Sequence, residues 1–216
     1  HGTLGDAWAL NLTGTPAWSA VTGTPPAPRQ GHAAAMDTRC GRMMVFGGRA
    51  DSYCYFCSWF YYSDLKAYDG VGAWSDLSTP GPSARAFASM IYDPVRDRLV
   101  LYGGMGEGML FGEVWSYTFT DPPAWSLLAP SGTAPDPRRG HTAVYDAPNA
   151  RMVVFGGNDA LGATNDVWAL DLAGAGAWQE LAPAGTVPSP RVGHVAIYDP
   201  LRARMVTVGA DGDSWT

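Results

Sequence analysis

Four-residue, largely apolar runs recur along this chain at nearly constant distance, at residues 43–46, 99–102, 152–155 and 205–208. Each run is apolar at consecutive positions, which fits a short strand buried on both faces. Upstream of each lies a second repeated segment. The four read Pro28-Arg29-Gln30-Gly31-His32 through Asp37, Ala84-Arg85 through Asp93, Pro137-Arg138-Arg139-Gly140-His141 through Asp146, and Pro190-Arg191-Val192-Gly193-His194 through Asp199. Arg to Asp is eight positions every time, and the arginines are 56, 53 and 53 residues apart. Gly47-Gly48, Gly103-Gly104 and Gly156-Gly157 end three of the runs; the fourth has Gly209-Ala210.

After a loop comes an acidic-x-Trp element: Asp6-Ala7-Trp8, Glu113-Val114-Trp115, Asp166-Val167-Trp168 and Asp213-Ser214-Trp215. Blade one carries Asp64-Leu65-Lys66 instead, with lysine in the Trp slot. A second Trp follows at Trp18, Trp74, Trp125 and Trp178. Each unit thus predicts four short antiparallel strands, a to d, with Asp- and Pro-rich a–b turns such as residues 92–97. No 3.6-residue period appears. A four-stranded sheet repeating about every 50 residues is what radial stacking of propeller blades requires.

These residues resemble the kelch repeat: Gly-Gly after an apolar strand, then a spaced aromatic pair. The resemblance spans essentially the whole chain. It implies an all-β, kelch-type β-propeller of four blade-equivalents, each of four antiparallel strands. The expected divisions are 1–21 (strands c and d of a split blade), 28–77, 82–128 and 135–181 (full blades), and 188–216 (strands a and b plus a c stub). Two arrangements are open: a closed four-bladed ring, or a fragment of a larger one, since kelch propellers commonly have six or seven blades. An open array exposes an apolar blade face and invites self-association.

Composition narrows the function classes. Glycine (27) and proline (17) are abundant, and the net charge of −6 argues against a nucleic-acid partner. No apolar run reaches the roughly 18 residues of a membrane span.

Residues recurring in every unit are read first as structural. Arg29, Arg85, Arg138 and Arg191 are expected to hydrogen-bond between blades; the alternative is an arginine ring reading an anion. His32, His141 and His194 share one position, with Ala88 in the fourth. They are expected to pack on neighbouring blades rather than hold a metal, although three imidazoles on one channel could ligate one. The expectation is no metal and no cofactor.

Positions that break the repeat carry the functional expectation. Two b–c loops have eight residues, 105–112 and 158–165; the first has fifteen, 49–63. Seven of the ten residues 53–62 are aromatic. The candidate binding residues are Tyr53, Tyr55, Phe56, Trp59, Phe60 and Tyr61. Met105, Glu107, Met109 and Phe111 join them from the next blade, with Arg49, Asp51 and Glu107 as a polar rim. The rival reading is that these loops cap their own blades. Cys54 and Cys57 are expected to form a local disulfide, which points to an extracellular or cell-surface location. Cys40, in an a–b turn, is expected to be unpaired.

No catalytic constellation is legible. The leading expectation is a non-catalytic module binding a protein or glycan. Kelch relatives also include secreted copper oxidases and sugar epimerases. The oxidase's Tyr–Cys cofactor and copper ligands find no residue-by-residue match here. A structural or surface-assembly protein is the third class.

Overall fold

The computed structural model describes residues 3–51 and 59–209. A hairpin of β1 (Trp8–Asn11) and β2 (Ala17–Ala20) comes first. The first blade contains β3 (Ala33–Asp37), β4 (Arg42–Phe46), the short β5 (Arg49–Ala50) and β6 (Phe60–Tyr61), then β7 (Leu65–Tyr68) and β8 (Trp74–Asp76). The second contains β9 (Ser89–Asp93), β10 (Arg98–Tyr102), β11 (Met105–Gly106), β12 (Met109–Leu110), β13 (Val114–Thr118) and β14 (Ala124–Leu128). The third contains β15 (Thr142–Asp146), β16 (Arg151–Asn158), β17 (Ala163–Asp171) and β18 (Ala177–Leu181). A final hairpin is formed by β19 (Val195–Asp199) and β20 (Arg204–Val208).

The three full sheets run β3-β4-β7-β8, β9-β10-β13-β14 and β15-β16-β17-β18, all antiparallel, which are the expected strands a to d. The helical content among the described residues is one 3-10 turn, Ala147–Asn149. No helix there is long and apolar enough to cross a membrane. The inner strands β3, β9, β15 and β19 pack side by side in that order, so the blades stack radially.

The apolar runs fill the space between blades. All five residues of β10 are buried. Its side chains alternate: Leu99 and Leu101 join Met44, Phe46 and Leu65 of the first blade, whereas Val100 and Tyr102 join Met152, Val154 and Leu170 of the third. Each such aliphatic side chain contributes roughly 1.5–3 kcal/mol on burial. The strand-d tryptophans reach back to the preceding blade. Trp125 meets Phe46 edge-on at 5.2 Å, and Trp178 meets Tyr102 at 5.0 Å.

The a–b turns are nearly identical. Asp37, Asp93, Asp146 and Asp199 each bond the arginine five residues on: Arg42, Arg98, Arg151 and Arg204. Three of them also accept backbone N–H groups inside the turn. Cys40 sits in the first of these turns as an exposed free thiol.

A closed four-bladed ring requires β20 to pair with β1. The two strands lie in separate two-stranded sheets. The β1–β2 hairpin lies beside the first blade, where the Arg29 N–H donates to Leu4 O and Gly23 approaches Gly72 and Trp74.

Candidate functional site

Two kinds of position meet at the b–c face: those that repeat and those that do not. The repeating arginines form staples, and the direction of their side chains corrects the inter-blade expectation. Arg29 donates to Gly47 O at 2.8 Å and pairs with both oxygens of Asp64 at 2.6 and 2.9 Å. Arg138 does the same with Gly156 O and Asp166, and Arg85 donates to Gly103 O and to one oxygen of Glu113. All of these partners belong to the arginine's own blade, so the guanidinium ties strand a to the ends of strands b and c. The backbone of the same residue makes the inter-blade link. The N–H groups of Gly48, Gly104 and Gly157 donate to the carbonyls of Arg85, Arg138 and Arg191 in the following blade.

The acidic-x-Trp spacing is explained by the same staple. The indoles of Trp115 and Trp168 donate to Glu113 and Asp166, two residues back. Lys66, in the Trp slot, lies 3.8 Å from Asp64 and keeps a donor there. Burial alone would raise the Glu113 and Asp166 pKa values. The indole and arginine hydrogen bonds outweigh it, and both lie below the ordinary carboxylate value.

His141 and His194 face the preceding blade, not a shared centre. The His141 ring lies against Gly103, where an added Cβ would come 2.7 Å from it, and stacks on Tyr102 at 5.0 Å. Gly103 also has φ +68, so only glycine suits this position. His194 contacts Gly156 and Phe155 and shares a 2.9 Å hydrogen bond with Thr142, all in the third blade. Burial, then Arg138, pushes the His141 pKa down to about 3, so its ring is neutral. His32 is exposed. Among the described residues no cluster of three or more His, Cys, Asp or Glu could hold a metal.

The expected b–c loops are β-hairpins. β5–β6 and β11–β12 extend the first two blades, and β16–β17 continue through a bulge at Phe155/Gly157 in the third. Equivalent bridges, Gln30–Arg49, Ala86–Met105 and Arg139–Asn158, join each hairpin to its inner strand segment. The three therefore project from the same face. Each carries one strongly exposed apolar side chain: Phe60 (60%), Met109 (62%) and Leu161 (95%). Trp59, Tyr61 and Met105 are half-buried, and Glu107 is exposed at a turn with φ +46. Phe111 turns inward, 3.9 Å from the Arg85 guanidinium, and Tyr62 covers Arg29 in the same way. Phe111 is thus part of its blade's staple, which answers the capping alternative for that residue. Tyr53, Cys54, Tyr55, Phe56 and Cys57 lie outside the described residues.

One departure from the repeat sits at the inner rim of this face. Gly31, Gly140 and Gly193 occupy the second position after the staple arginine with φ +64, +64 and +70. Phe87 fills that position in the second blade at φ +58. A left-handed conformation costs an L-residue about 1–2 kcal/mol. Its amide and carbonyl continue the backbone line Gly31–Phe87–Gly140–Gly193 around the rim. The Phe87 ring lies 4.8 Å from the Arg49 guanidinium, whose other aromatic neighbour is Trp59 at 3.7 Å. Phe87 and Arg139 escaped the sequence reading. The signal was present as a phenylalanine in the glycine slot of the aligned repeat.

Residues 2–209 match the KLHDC2/KLHL20/DRC7 Kelch-repeats domain. This chain belongs to the kelch-repeat family. The kelch segment is 30% identical over 188 residues to the dynein alpha chain of the flagellar outer arm of Chlamydomonas reinhardtii, covering 83% of this chain and 4% of that one. It is 32% identical over 149 residues to human host cell factor 1, covering 62% and 7%. Human multiple epidermal growth factor-like domains protein 8 is 31% identical over 205 residues, covering 89% and 7%. The chain thus spans a small part of these relatives' length. Among solved structures, that of YjhT superposes with a TM-score of 0.67 at 18% identity over 89% of this chain and 62% of that one. This last likeness supports the kelch propeller fold.

Proposed function

We propose that this kelch chain is a non-catalytic protein-binding module whose contact face is formed by the three b–c hairpins. The observation that carries this reading is the placement of Phe60, Met109 and Leu161, one exposed apolar side chain per hairpin, on one face. Exposed apolar and aromatic groups rimmed by polar ones fit the anatomy of a recognition patch. The kelch family membership agrees with an interaction role. Selection of a phage-displayed peptide library on the purified chain tests it. Convergent peptides that lose binding to a Phe60→Ser/Met109→Ser/Leu161→Ser variant of unchanged melting temperature support it. Failure to converge, or equal binding to the variant, overturns it. A glycan array run in parallel reads the glycan alternative.

The same reading takes Cys54–Cys57 as a disulfide in an oxidising compartment, with Cys40 as the one thiol reactive under denaturing, non-reducing conditions. Self-association is a second reading, favoured by Val195, Ile197 and Val208 exposed on β19–β20. A concentration-independent monomer in sedimentation velocity removes it.

A further inference from the structure

The contacts between blades repeat one device. An aromatic ring at the end of strand b wedges into the following blade: Phe46 meets Trp125 at 5.2 Å, and Tyr102 meets Trp178 at 5.0 Å. Tyr102 has the fuller set of partners. Its ring stacks on His141 at 5.0 Å, and its hydroxyl donates to Pro135 O and Asp136 O, each at 3.3 Å. The seat of this phenol is therefore a strand-d tryptophan, the repeating histidine, and the two carbonyls three and two residues before the staple arginine.

The first blade carries every part of the same seat. Trp74 occupies the place of Trp178, His32 that of His141, and Pro26 and Ala27 those of Pro135 and Asp136. The local backbone agrees: Arg29 Nε donates to Ala27 O at 3.0 Å, as Arg138 Nε does to Asp136 O. Among the described residues, no strand-b ring enters this seat. A cavity of about 120 Å³ lies there, lined by Trp74, His32, Pro26, Ala27, Arg29 and Val45 and bordered on its far side by residues 4–7. An apolar cavity of about 150 Å³ takes up a benzene ring, so this one suits a single ring and little more. Its one guanidinium is already neutralised by Asp64, which favours an uncharged ligand over an anion.

We infer that this cavity binds a monocyclic phenol. The ring sits on Trp74 and His32, and the hydroxyl donates to the carbonyls of Pro26 and Ala27, as Tyr102 does one interface further on. A free phenol and a tyrosine side chain of another protein segment share this chemistry, and the test separates them. The inference does not depend on the b–c face reading.

The experiment records the backbone amide spectrum of the isotope-labelled chain against p-cresol and against 4-methylanisole, which keeps the ring and loses the donor. The expected result is saturable p-cresol shifts at residues 27, 32, 43–45 and 74, with a Kd of about 1 mM or tighter. 4-Methylanisole should bind at least about fivefold more weakly. Val45→Phe fills the cavity and should abolish binding. His32→Ala, at an exposed position, should keep the melting temperature and weaken binding about threefold or more. A synthetic peptide with the sequence of residues 99–104, which carries Tyr102, separates the two sources. Binding tighter than p-cresol at the same amides assigns the ring to a protein tyrosine; weaker binding assigns it to a free phenol, and both support the site. No saturable shift at those residues, at about ten times the expected Kd, overturns the inference. Equal binding of 4-methylanisole overturns the phenol assignment, and unchanged binding to the folded His32→Ala and Val45→Phe variants overturns the location.

Discussion

The two faces of the blades differ in how faithfully they repeat. On the a–b face, every turn carries the same Asp–Arg bond at the same five-residue spacing. Exposed apolar residues occur there too, Val95 and Leu201, on turns their aspartates fix. On the b–c face, the staple beneath repeats while everything above it varies: hairpin length, the exposed residue, and the occupant of the glycine slot. Repetition marks what holds blades together, and departure marks what a particular chain does with them.

The largest expected effect lies in the repeating part. Arg138→Ala leaves Asp166 without its bidentate partner and Gly156 O without its donor, and should cost about 2–4 kcal/mol in chemical denaturation. A loss under about 0.5 kcal/mol would remove the staple from the account.

Acid should act through the same part. The folded-state pKa of His141 is depressed to about 3, so the folded state keeps the ring neutral while the unfolded chain protonates near 6.5. Its contribution is complete above pH 6.5 and is lost as pH falls, at about 1.4 kcal/mol per unit. Glu113 and Asp166 are also depressed, so their contribution is complete above the unfolded value near 4 and is lost below it. The melting temperature should therefore decline below pH 6.5 and more steeply below 4. An unchanged melting temperature from pH 7 to 4.5 contradicts the buried, neutral His141.

Smaller effects belong to the varying part. Phe87→Gly should gain up to about 1 kcal/mol by relieving its backbone, less what the lost ring contacts contribute. A loss above about 2 kcal/mol would make Phe87 a packing residue of the blades. The Phe60→Ser/Met109→Ser pair should change stability by less than about 0.5 kcal/mol, as exposed sites do.

Much of this was legible in the sequence because the repeat samples each position up to four times. The apolar runs, the Gly pairs and the Asp-rich turns specified strands a to d and their order. The direction of Arg29, Arg85 and Arg138 was not legible, since a recurring arginine fits a bond within a blade or between blades equally well. The hairpins β5–β6 and β11–β12 were read as loops, because two-residue strands have no periodicity to detect. Phe111 was read as a binding residue with capping as the rival; only the fold shows that it and Tyr62 cover staple arginines. The rim was partly visible: Arg49 stood out, whereas Phe87 and Arg139 gain meaning only when the backbone line through Gly31 and Gly140 brings them together.

The central claim is that binding belongs to the b–c face. Its most direct test is the backbone amide spectrum of the isotope-labelled chain, recorded as a peptide selected on the wild-type protein is added. The account predicts shifts at residues 49, 59–61, 87, 105–110, 139 and 159–162, with the a–b turns at 38–41, 94–97, 147–150 and 200–203 unmoved. Shifts centred on those turns, with the hairpins silent, would contradict it.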